Sequence, residues 1–318
     1  MPINHTPIEK DKTEIAMAKE KITQKPNTSH YLINPNYSFK DIILTKGILN
    51  EIKTFISLVQ NRDLIFKTWG LETVIKKNNC NINLYGESGT GKTMTAHAIA
   101  DKLRKQLLIV NYSEIESKFV GETSKNLVNL FDFAKDSGAV VLFDEADALL
   151  SKRVSVMHSA TDVSVNQTRN VLLKILDEYS GVVIFTTNFI QNFDVAFMRR
   201  IFTHVKFDLP DEEARKLLWN HYLVNSLPVD NRDMLINTVS KYENMSGSDI
   251  SSAVLKAAIN ASNNSNKIIN VDLVETIIKD IQKSKVAVNG GFDITTRKVS
   301  EDYALNRISG GCNNGNNK

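Results

Sequence analysis

The sequence predicts an α/β protein in which a parallel sheet, covered by helices on both faces, is followed by a small all-helical domain. Three observations support this prediction. Short β-rich runs alternate with helical segments between residues 82 and 208, which is typical of parallel sheets. A glycine-rich segment joins the first of these strands to the helix that follows it. Beyond residue 209 the apolar spacing is helical only.

Each predicted element follows from a run of apolar residues whose spacing fits a strand or a helix. The five predicted strands cover residues 82–85, 107–111, 139–143, 182–187 and 204–208. The helices predicted around these strands lie near residues 48–70, 92–105, 124–136 and 166–178. The helices predicted for the all-helical domain lie near residues 211–225, 231–242, 247–263 and 270–284.

The chain is thereby divided into four predicted segments. Residues 1–36 are rich in Lys, Asn and Pro and predict a flexible N-terminal arm. Residues 37–209 contain the sheet and its helices, and residues 210–285 contain the helical domain. Residues 286–318 form a tail whose final Gly/Asn run is typical of disorder.

Composition and charge narrow the class of protein. A net charge of +3, from 39 basic and 36 acidic side chains, is too even to indicate a nucleic-acid partner. No apolar run approaches the roughly 18 residues of a membrane span, and the first residues are too polar for a secretory signal. We therefore expect a cytoplasmic protein with no membrane partner. The two cysteines, Cys80 and Cys312, do not indicate a disulfide framework.

The segment GESGTGKT predicts a phosphate-binding loop. Its residues are Gly86, Glu87, Ser88, Gly89, Thr90, Gly91, Lys92 and Thr93. It follows a predicted strand and precedes a predicted helix, so backbone N–H groups of a glycine-permissive turn can surround a triphosphate at a helix N-terminus. Lys92 would meet the β- and γ-phosphates, and the Thr93 hydroxyl would meet a magnesium ion. We expect ATP or GTP, together with Mg²⁺, as the bound cofactors.

Two adjacent carboxylates, Asp144 and Glu145, end the apolar strand AVVLF. Asp144 can hold the magnesium ion through water, and Glu145 can orient and deprotonate the water that attacks the γ-phosphate. The alternative is a pair of polar residues that merely end a strand. Adjacent acids after a phosphate-binding loop favour hydrolysis over simple binding.

A polar residue and a basic pair follow the next strand. Asn188 ends VVIFTTN, where its amide can hold the same water from the far side of the γ-phosphate. Arg199 and Arg200 follow a short amphipathic segment. An arginine supplied by a neighbouring subunit can stabilise the transition state of phosphoryl transfer. Taken alone, the pair would be interpreted as solvated surface charge.

Together these segments resemble the ATPase domain of the AAA group, within the AAA+ superfamily. The matching segments, in the order of the family, are GESGTGKT, SKFVGET, FDEADAL, FTTN, DVAFMRR and MSGSDI, and they cover about residues 37–284. The resemblance implies a P-loop fold with a five-stranded parallel sheet and a helical lid. It also implies a homo-hexameric ring with ATP at each subunit boundary, where Arg199 and Arg200 act on the nucleotide of the neighbour.

The segment SKFVGET is the one that indicates a substrate. In this family an aromatic, an aliphatic residue and a glycine project into the pore of the ring and grip an extended polypeptide. By position, the resemblance gives that role to Phe119, Val120 and Gly121, with Lys118 before them. Apolar contact from a ring of aromatics can hold many different sequences. The alternative is that Phe119 and Val120 are core residues, although the flanking charges of Lys118 and Glu122 favour exposure.

Two further segments are expected to contact the nucleotide. The family motif ahead of the phosphate loop corresponds to DIIL, so Asp41 and Ile42 are candidates for adenine contact. In the lid, the backbone of Gly247 and Ser248 is expected at the adenine, and residues 246–249 are predicted to cap a helix. This lid helix contains no arginine, whereas clamp-loader and initiator relatives carry one.

The sequence thus predicts an ATPase that converts ATP and water to ADP and phosphate and that remodels proteins by threading or pulling a polypeptide through a hexameric ring. The client would bind directly or through an adaptor. The alternative is a DNA-directed AAA+ ATPase such as a loader or helicase, which predicts basic pore loops or a DNA-binding appendage. A scaffold that binds nucleotide without hydrolysis conflicts with the Asp144–Glu145 pair. No HExxH spacing occurs, which excludes an AAA metalloprotease.

Overall fold

The computed structural model describes residues 32–75, 79–110, 122–151, 160–188, 193–263 and 267–289. Its strands are β1 (Leu32–Ile33), β2 (Cys80–Gly86), β3 (Leu107–Val110), β4 (Val140–Phe143), β5 (Val182–Thr187) and β6 (Thr203–Phe207). They form one sheet in the order β1-β3-β4-β5-β2-β6. Strands β2 to β6 are parallel, so the predicted α/β fold is confirmed.

The sheet has six strands, whereas five were predicted. The additional strand, β1, contains two residues and pairs antiparallel with β3 at the edge of the sheet. Two residues are too few to produce a period-two pattern, which explains why the sequence does not indicate this strand. β1 also lies within residues 1–36, the range predicted as an arm.

The helices alternate with the strands and then continue alone. Those around the sheet are α1 (Lys46–Gln60), α2 (Lys92–Leu103), α3 (Glu122–Ser137), α4 (Asp147–Leu150), α5 (Ala160–Glu178) and α6 (Val195–Met198). A π-helical turn (Leu64–Thr68) and a 3₁₀ turn (Leu71–Thr73) follow α1. Those beyond the sheet are α7 (Glu212–Tyr222), α8 (Arg232–Val239), α9 (Gly247–Asn263) and α10 (Val271–Asn289).

The central strands are buried on both faces because successive side chains point to opposite sides of the sheet. In β4 and β5, Phe143 and Phe185 stack at 5.2 Å within the core formed with α3 and α5. Leu142 and Ile184 belong to the core on the other face, beneath α1 and α2. With both faces covered, the carboxyl ends of the strands are the open part of the sheet.

The last four helices enclose a separate apolar cluster around Trp219, which is fully buried. Arg215, also buried, fixes the start of this helical region. Its guanidinium donates to the carbonyl oxygens of Ser240 and Pro210, each at 2.7 Å. Because Ser240 follows α8 and Pro210 precedes α7, this one side chain joins the end of α8 to the segment that leaves the sheet.

Two predictions made from composition concern membrane-spanning segments and cysteines. Within the described segments, none of the helices combines the length and apolar character needed to cross a membrane. Cys80 is a buried cysteine at the start of β2, and Cys312 lies outside the described residues. Burial raises the pKa of the Cys80 thiol, because the thiolate would lose its hydration.

Replacing Arg215 with methionine should destabilise the helical region, since the buried carbonyl oxygen of Ser240 and the partly buried one of Pro210 lose a charged donor. We expect the free energy of unfolding to fall by about 2 kcal/mol or more, measured by urea denaturation. Lys216→Met is the matched control, because Lys216 only pairs with Glu212 and Glu213 at the surface. Equal effects of the two substitutions would contradict the anchoring role of Arg215.

Candidate nucleotide-binding site

A cavity of about 430 Å³ opens at the carboxyl ends of β2, β4 and β5. This is where ligands bind in open α/β sheets. Its walls come from the loop after β2, the ends of β4 and β5, the segment ahead of α1 and the start of α9. The predicted residues that line it are Asp41, Ile42, Ser88, Gly89, Thr90, Gly91, Lys92, Thr93, Asp144, Glu145, Asn188, Gly247 and Ser248.

The loop between β2 and α2 has the conformation that its glycines permit. Gly86, at φ +133°, lies so close to β6 that a Cβ atom would stand 2.1 Å from the carbonyl oxygen of Phe207. Gly91 caps α2 with φ +93°, in the left-handed region. The Lys92 ammonium donates to the carbonyl oxygens of Gly86 and Glu87, each at 2.8 Å. The loop is therefore curled around the amino group of Lys92 at the N-terminus of α2.

Lys92 is buried, with 8% of its surface exposed. Burial lowers the pKa of its ammonium group, and the carboxylates of Asp147, Asp144 and Glu87 oppose that shift. Since an ammonium has three N–H donors and two are used by loop carbonyls, one remains available to a ligand.

Asp144 joins the loop to the sheet. Its Oδ1 atom accepts a hydrogen bond from the Thr93 hydroxyl at 2.9 Å and another from the Thr186 hydroxyl. Glu145 follows with an exposed side chain and a backbone φ of +53°. That left-handed conformation costs a non-glycine residue about 1–3 kcal/mol, so the surrounding contacts must hold it.

A hydroxyl and a carboxylate, as supplied by Thr93 and Asp144, are the oxygen donors that Mg²⁺ prefers. Among the described residues there is no group of three or more His, Cys, Asp or Glu side chains able to hold a metal ion. A magnesium ion bound mainly through phosphate oxygens and water needs only one or two protein oxygens. The donor set therefore fits magnesium brought by a nucleotide.

Asn188, at the end of β5, lines the same cavity. Its backbone N–H donates to both carboxylate oxygens of Asp147, at 3.0 and 3.3 Å. Asp147 starts α4, three residues beyond Asp144, so this contact ties the ends of β4 and β5 together. Asp147 was not predicted as a site residue, although its position in FDEADAL places it about one helical turn beyond Asp144.

Thr186 was also missed, because its role depends on a neighbouring strand. Its hydroxyl donates to Asp144 and accepts from the backbone N–H of Glu145 at 3.0 Å. Its carbonyl accepts from the N–H of Ala146 at 2.9 Å. The only signal in the sequence was a hydroxyl side chain two positions before Asn188, in a run that is otherwise largely apolar.

The start of α9 touches the phosphate loop. The Ser248 N–H donates to the Gly89 carbonyl at 3.1 Å, and a Cβ atom on Gly89 would stand 2.7 Å from the Ser246 hydroxyl. The predicted cap on α9 is confirmed: Asp249 accepts from the Ser246 backbone N–H at 2.7 Å, and its own N–H donates to the Ser246 hydroxyl at 3.2 Å. Lys285 reinforces this cap by pairing with Asp249.

The segment ahead of α1 forms another part of the cavity wall. Asp41 accepts hydrogen bonds from the Ser38 backbone N–H and hydroxyl, both at 2.7 Å, and these bonds lower the pKa of its carboxyl group. The Asn36 N–H donates to His97 Nδ1 at 3.2 Å, and Tyr37 contacts the His97 ring edge-on. Since His97 lies on α2, these contacts hold Asp41 and Ile42 beside the phosphate loop.

Arg199 and Arg200 follow α6, and neither is among the described residues that line this cavity. The two side chains have different surroundings. Arg200 pairs with Asp177 of α5 at 2.9 Å and donates to the Ala196 carbonyl at 3.1 Å. The Arg199 side chain is exposed and makes no hydrogen bond or ion pair with the part of the chain that the structure describes. Lys118, Phe119, Val120 and Gly121 lie outside the described residues.

Known proteins resemble this chain in the same region. Residues 82–209 match the model of the ATPase family associated with various cellular activities (AAA). The proteasome-activating nucleotidase of Saccharolobus islandicus is 31% identical over 261 residues, which are 79% of this chain and 64% of that protein. The one from Saccharolobus solfataricus is 30% identical over 269 residues, which are 81% of this chain and 66% of that protein.

The chain therefore spans less than two-thirds of the length of these relatives. The match to residues 82–209 nevertheless includes the phosphate loop, strands β3 to β6, most of β2, and the cavity residues Asp144, Glu145 and Asn188. The resemblance predicted from the motifs is confirmed: residues 82–209 form a domain of the AAA ATPase family, and the chain is similar to proteasome-activating nucleotidases.

Proposed function

We propose that this chain binds ATP with Mg²⁺ in the cavity and hydrolyses it, and that the energy drives the movement of a polypeptide. The observation that carries the hydrolysis proposal is the meeting of Thr93 with Asp144, at 2.9 Å, beside an exposed Glu145. A hydroxyl at the end of the loop and a carboxylate just after β4 thus meet in the cavity, as a magnesium–phosphate site requires.

Each side chain has a role that its position supports. Lys92 would contact the β- and γ-phosphates with its remaining donor, and the N–H groups at the start of α2 would bind the phosphate oxygens. Thr93 and Asp144 would hold the magnesium ion, which supplies charge neutralisation on the phosphates when bound. Glu145 would accept a proton from the attacking water, and the Asn188 amide would orient that water.

The base of the nucleotide would lie between the lid and the segment ahead of α1. Asp41 and Ile42 form one wall of that part of the cavity, and Gly247 and Ser248 form the other. In this proposal residues 37–209 and 210–285 are two subdomains that enclose the nucleotide. Residues 286–318 are a tail, and residues 1–36 are an arm whose strand β1 pairs with the sheet.

A ring is proposed because the basic pair lies outside the cavity of its own subunit. In a homo-hexamer, Arg199 would reach the nucleotide of the next subunit, since it is exposed, whereas Arg200 is held by Asp177. The similarity to proteasome-activating nucleotidases, over 79% of this chain, supports a protein client over a nucleic acid. The segment around Phe119 would grip that client in the pore, directly or with the help of an adaptor.

Glu145→Gln should still bind ATP but hydrolyse it about 10²–10⁴ times more slowly, because it removes the base and keeps the phosphate contacts. The measurement is steady-state phosphate release together with equilibrium binding of labelled ATP. Turnover at the wild-type rate would show that Glu145 has been misassigned.

Arg199→Ala should reduce kcat about 10³-fold or more, whereas Arg200→Ala, which loses a partly exposed ion pair, should have a smaller effect. The ATPase rates of the two variants give the comparison. Mixing Arg199→Ala subunits with Glu145→Gln subunits should restore turnover, because each Glu145→Gln subunit offers an intact arginine to an intact neighbouring cavity. Absence of recovery in mixed rings would contradict action in trans.

The client class is tested by stimulation of hydrolysis. We expect an unfolded polypeptide to raise the ATPase rate and single- or double-stranded DNA to leave it unchanged. In Phe119→Ala the ratio of stimulated to basal rate should fall towards one, since an aromatic contact with the client is lost. Stimulation by DNA alone would replace the threading proposal with the DNA-directed alternative.

A further inference from the structure

Thr186 lies where β4 and β5 end side by side. The registers pair Thr186 with Leu84 of β2, and Ile184 with Leu142 of β4, so Thr186 stands beside Asp144 on the same face of the sheet. Only 2% of its surface is exposed, yet it borders the cavity. A hydroxyl at such a buried point requires hydrogen-bond partners, and both partners belong to the proposed hydrolytic site.

The hydroxyl of Thr186 both donates and accepts a hydrogen bond. Its single proton is donated to Asp144 Oδ1, and its oxygen accepts the backbone N–H of Glu145 at 3.0 Å. The Thr186 carbonyl accepts the N–H of Ala146 at 2.9 Å. One residue therefore orients the acid before Glu145 and binds the backbone on each side of the Glu145 α-carbon.

This arrangement explains how Glu145 is held at φ +53°, a conformation that non-glycine residues seldom adopt. The N–H that precedes this strained α-carbon is the one bound by the Thr186 hydroxyl. Without that hydroxyl, the N–H of Glu145 loses its acceptor and Asp144 Oδ1 keeps only the Thr93 donor. Both acidic side chains would then be free to leave their present orientation.

We propose that Thr186 is a positioning residue for hydrolysis: its hydroxyl orients Asp144 towards the magnesium ion and fixes the backbone that directs Glu145 at the water. This inference rests on the proposed function of the site. Position 186 therefore requires a hydroxyl side chain. Valine has the same shape as threonine but can make neither hydrogen bond, whereas serine can make both.

The test compares the Thr186→Val and Thr186→Ser variants with the wild-type chain. Two quantities are measured: kcat for ATP hydrolysis, and the affinity for a fluorescent ATP analogue with Mg²⁺ and with EDTA. In Thr186→Val we expect kcat and the Mg²⁺-dependent gain in affinity each to fall by about 10–100-fold, as for partners that orient metal ligands. Affinity in EDTA should not change, and Thr186→Ser should recover most of both losses.

Thr187→Val is the matched control. It removes the same hydroxyl from the next residue, which also borders the cavity but whose hydroxyl donates to Asn83, at 3.4 Å, and not to Asp144. Its Mg²⁺-dependent affinity should equal that of the wild type. Equal Mg²⁺ dependence in Thr186→Val and wild type would overturn the inference, and so would a Thr186→Ser variant as impaired as Thr186→Val.

These outcomes separate the inference from the proposed function. Failure of the wild-type chain to hydrolyse ATP would refute the proposed function, and the binding measurement would still show whether Thr186 supports Mg²⁺-dependent binding. Normal wild-type hydrolysis with an unaffected Thr186→Val variant would refute the inference alone.

Discussion

The hydrogen bond between Thr93 and Asp144 is the contact on which the proposed chemistry depends. The two residues are 51 positions apart, one at the start of α2 and the other after β4. They meet because β2, β5 and β4 are parallel and consecutive in the sheet, so the carboxyl ends of all three strands lie at the same edge. A phosphate loop without this contact could bind an anion, and the carboxylate adds the capacity to hold a metal ion beside it.

A second contact joins the cavity to the helical region. The Ser248 N–H donates to the Gly89 carbonyl, so the start of α9 rests directly on the phosphate loop. Any side chain at Gly89 would collide with Ser246 and Ser248, which shows how closely the two approach. A change in the conformation of the loop would therefore act on α9 through this hydrogen bond. The Asp249 cap pairs with Lys285 of α10, so the start of α9 is also joined to α10.

The sequence predicts the parallel strands and the phosphate loop because both depend on local patterns: runs of apolar residues, and glycines at positions of positive φ. It does not predict β1, since two residues are too few to show the alternating apolar pattern of a strand. It also cannot distinguish Arg199 from Arg200, because the difference arises from Asp177, which is 23 residues away in the chain. Thr186 is not predicted for the same reason, because its partners Asp144, Glu145 and Ala146 follow a different strand, β4. What the sequence leaves open is thus the pairing of side chains across elements.

A crystal structure of the Glu145→Gln variant with ATP and Mg²⁺ would show whether the nucleotide and the metal ion bind as proposed. We expect phosphates within the curl of the loop, a magnesium ion about 2.0–2.1 Å from the Thr93 hydroxyl oxygen, and Asp144 bonded to a water of that ion. The side chain at position 145 should face the γ-phosphate across one water molecule. A magnesium ion bound away from Thr93 and Asp144, or phosphates outside the loop, would contradict the proposed site.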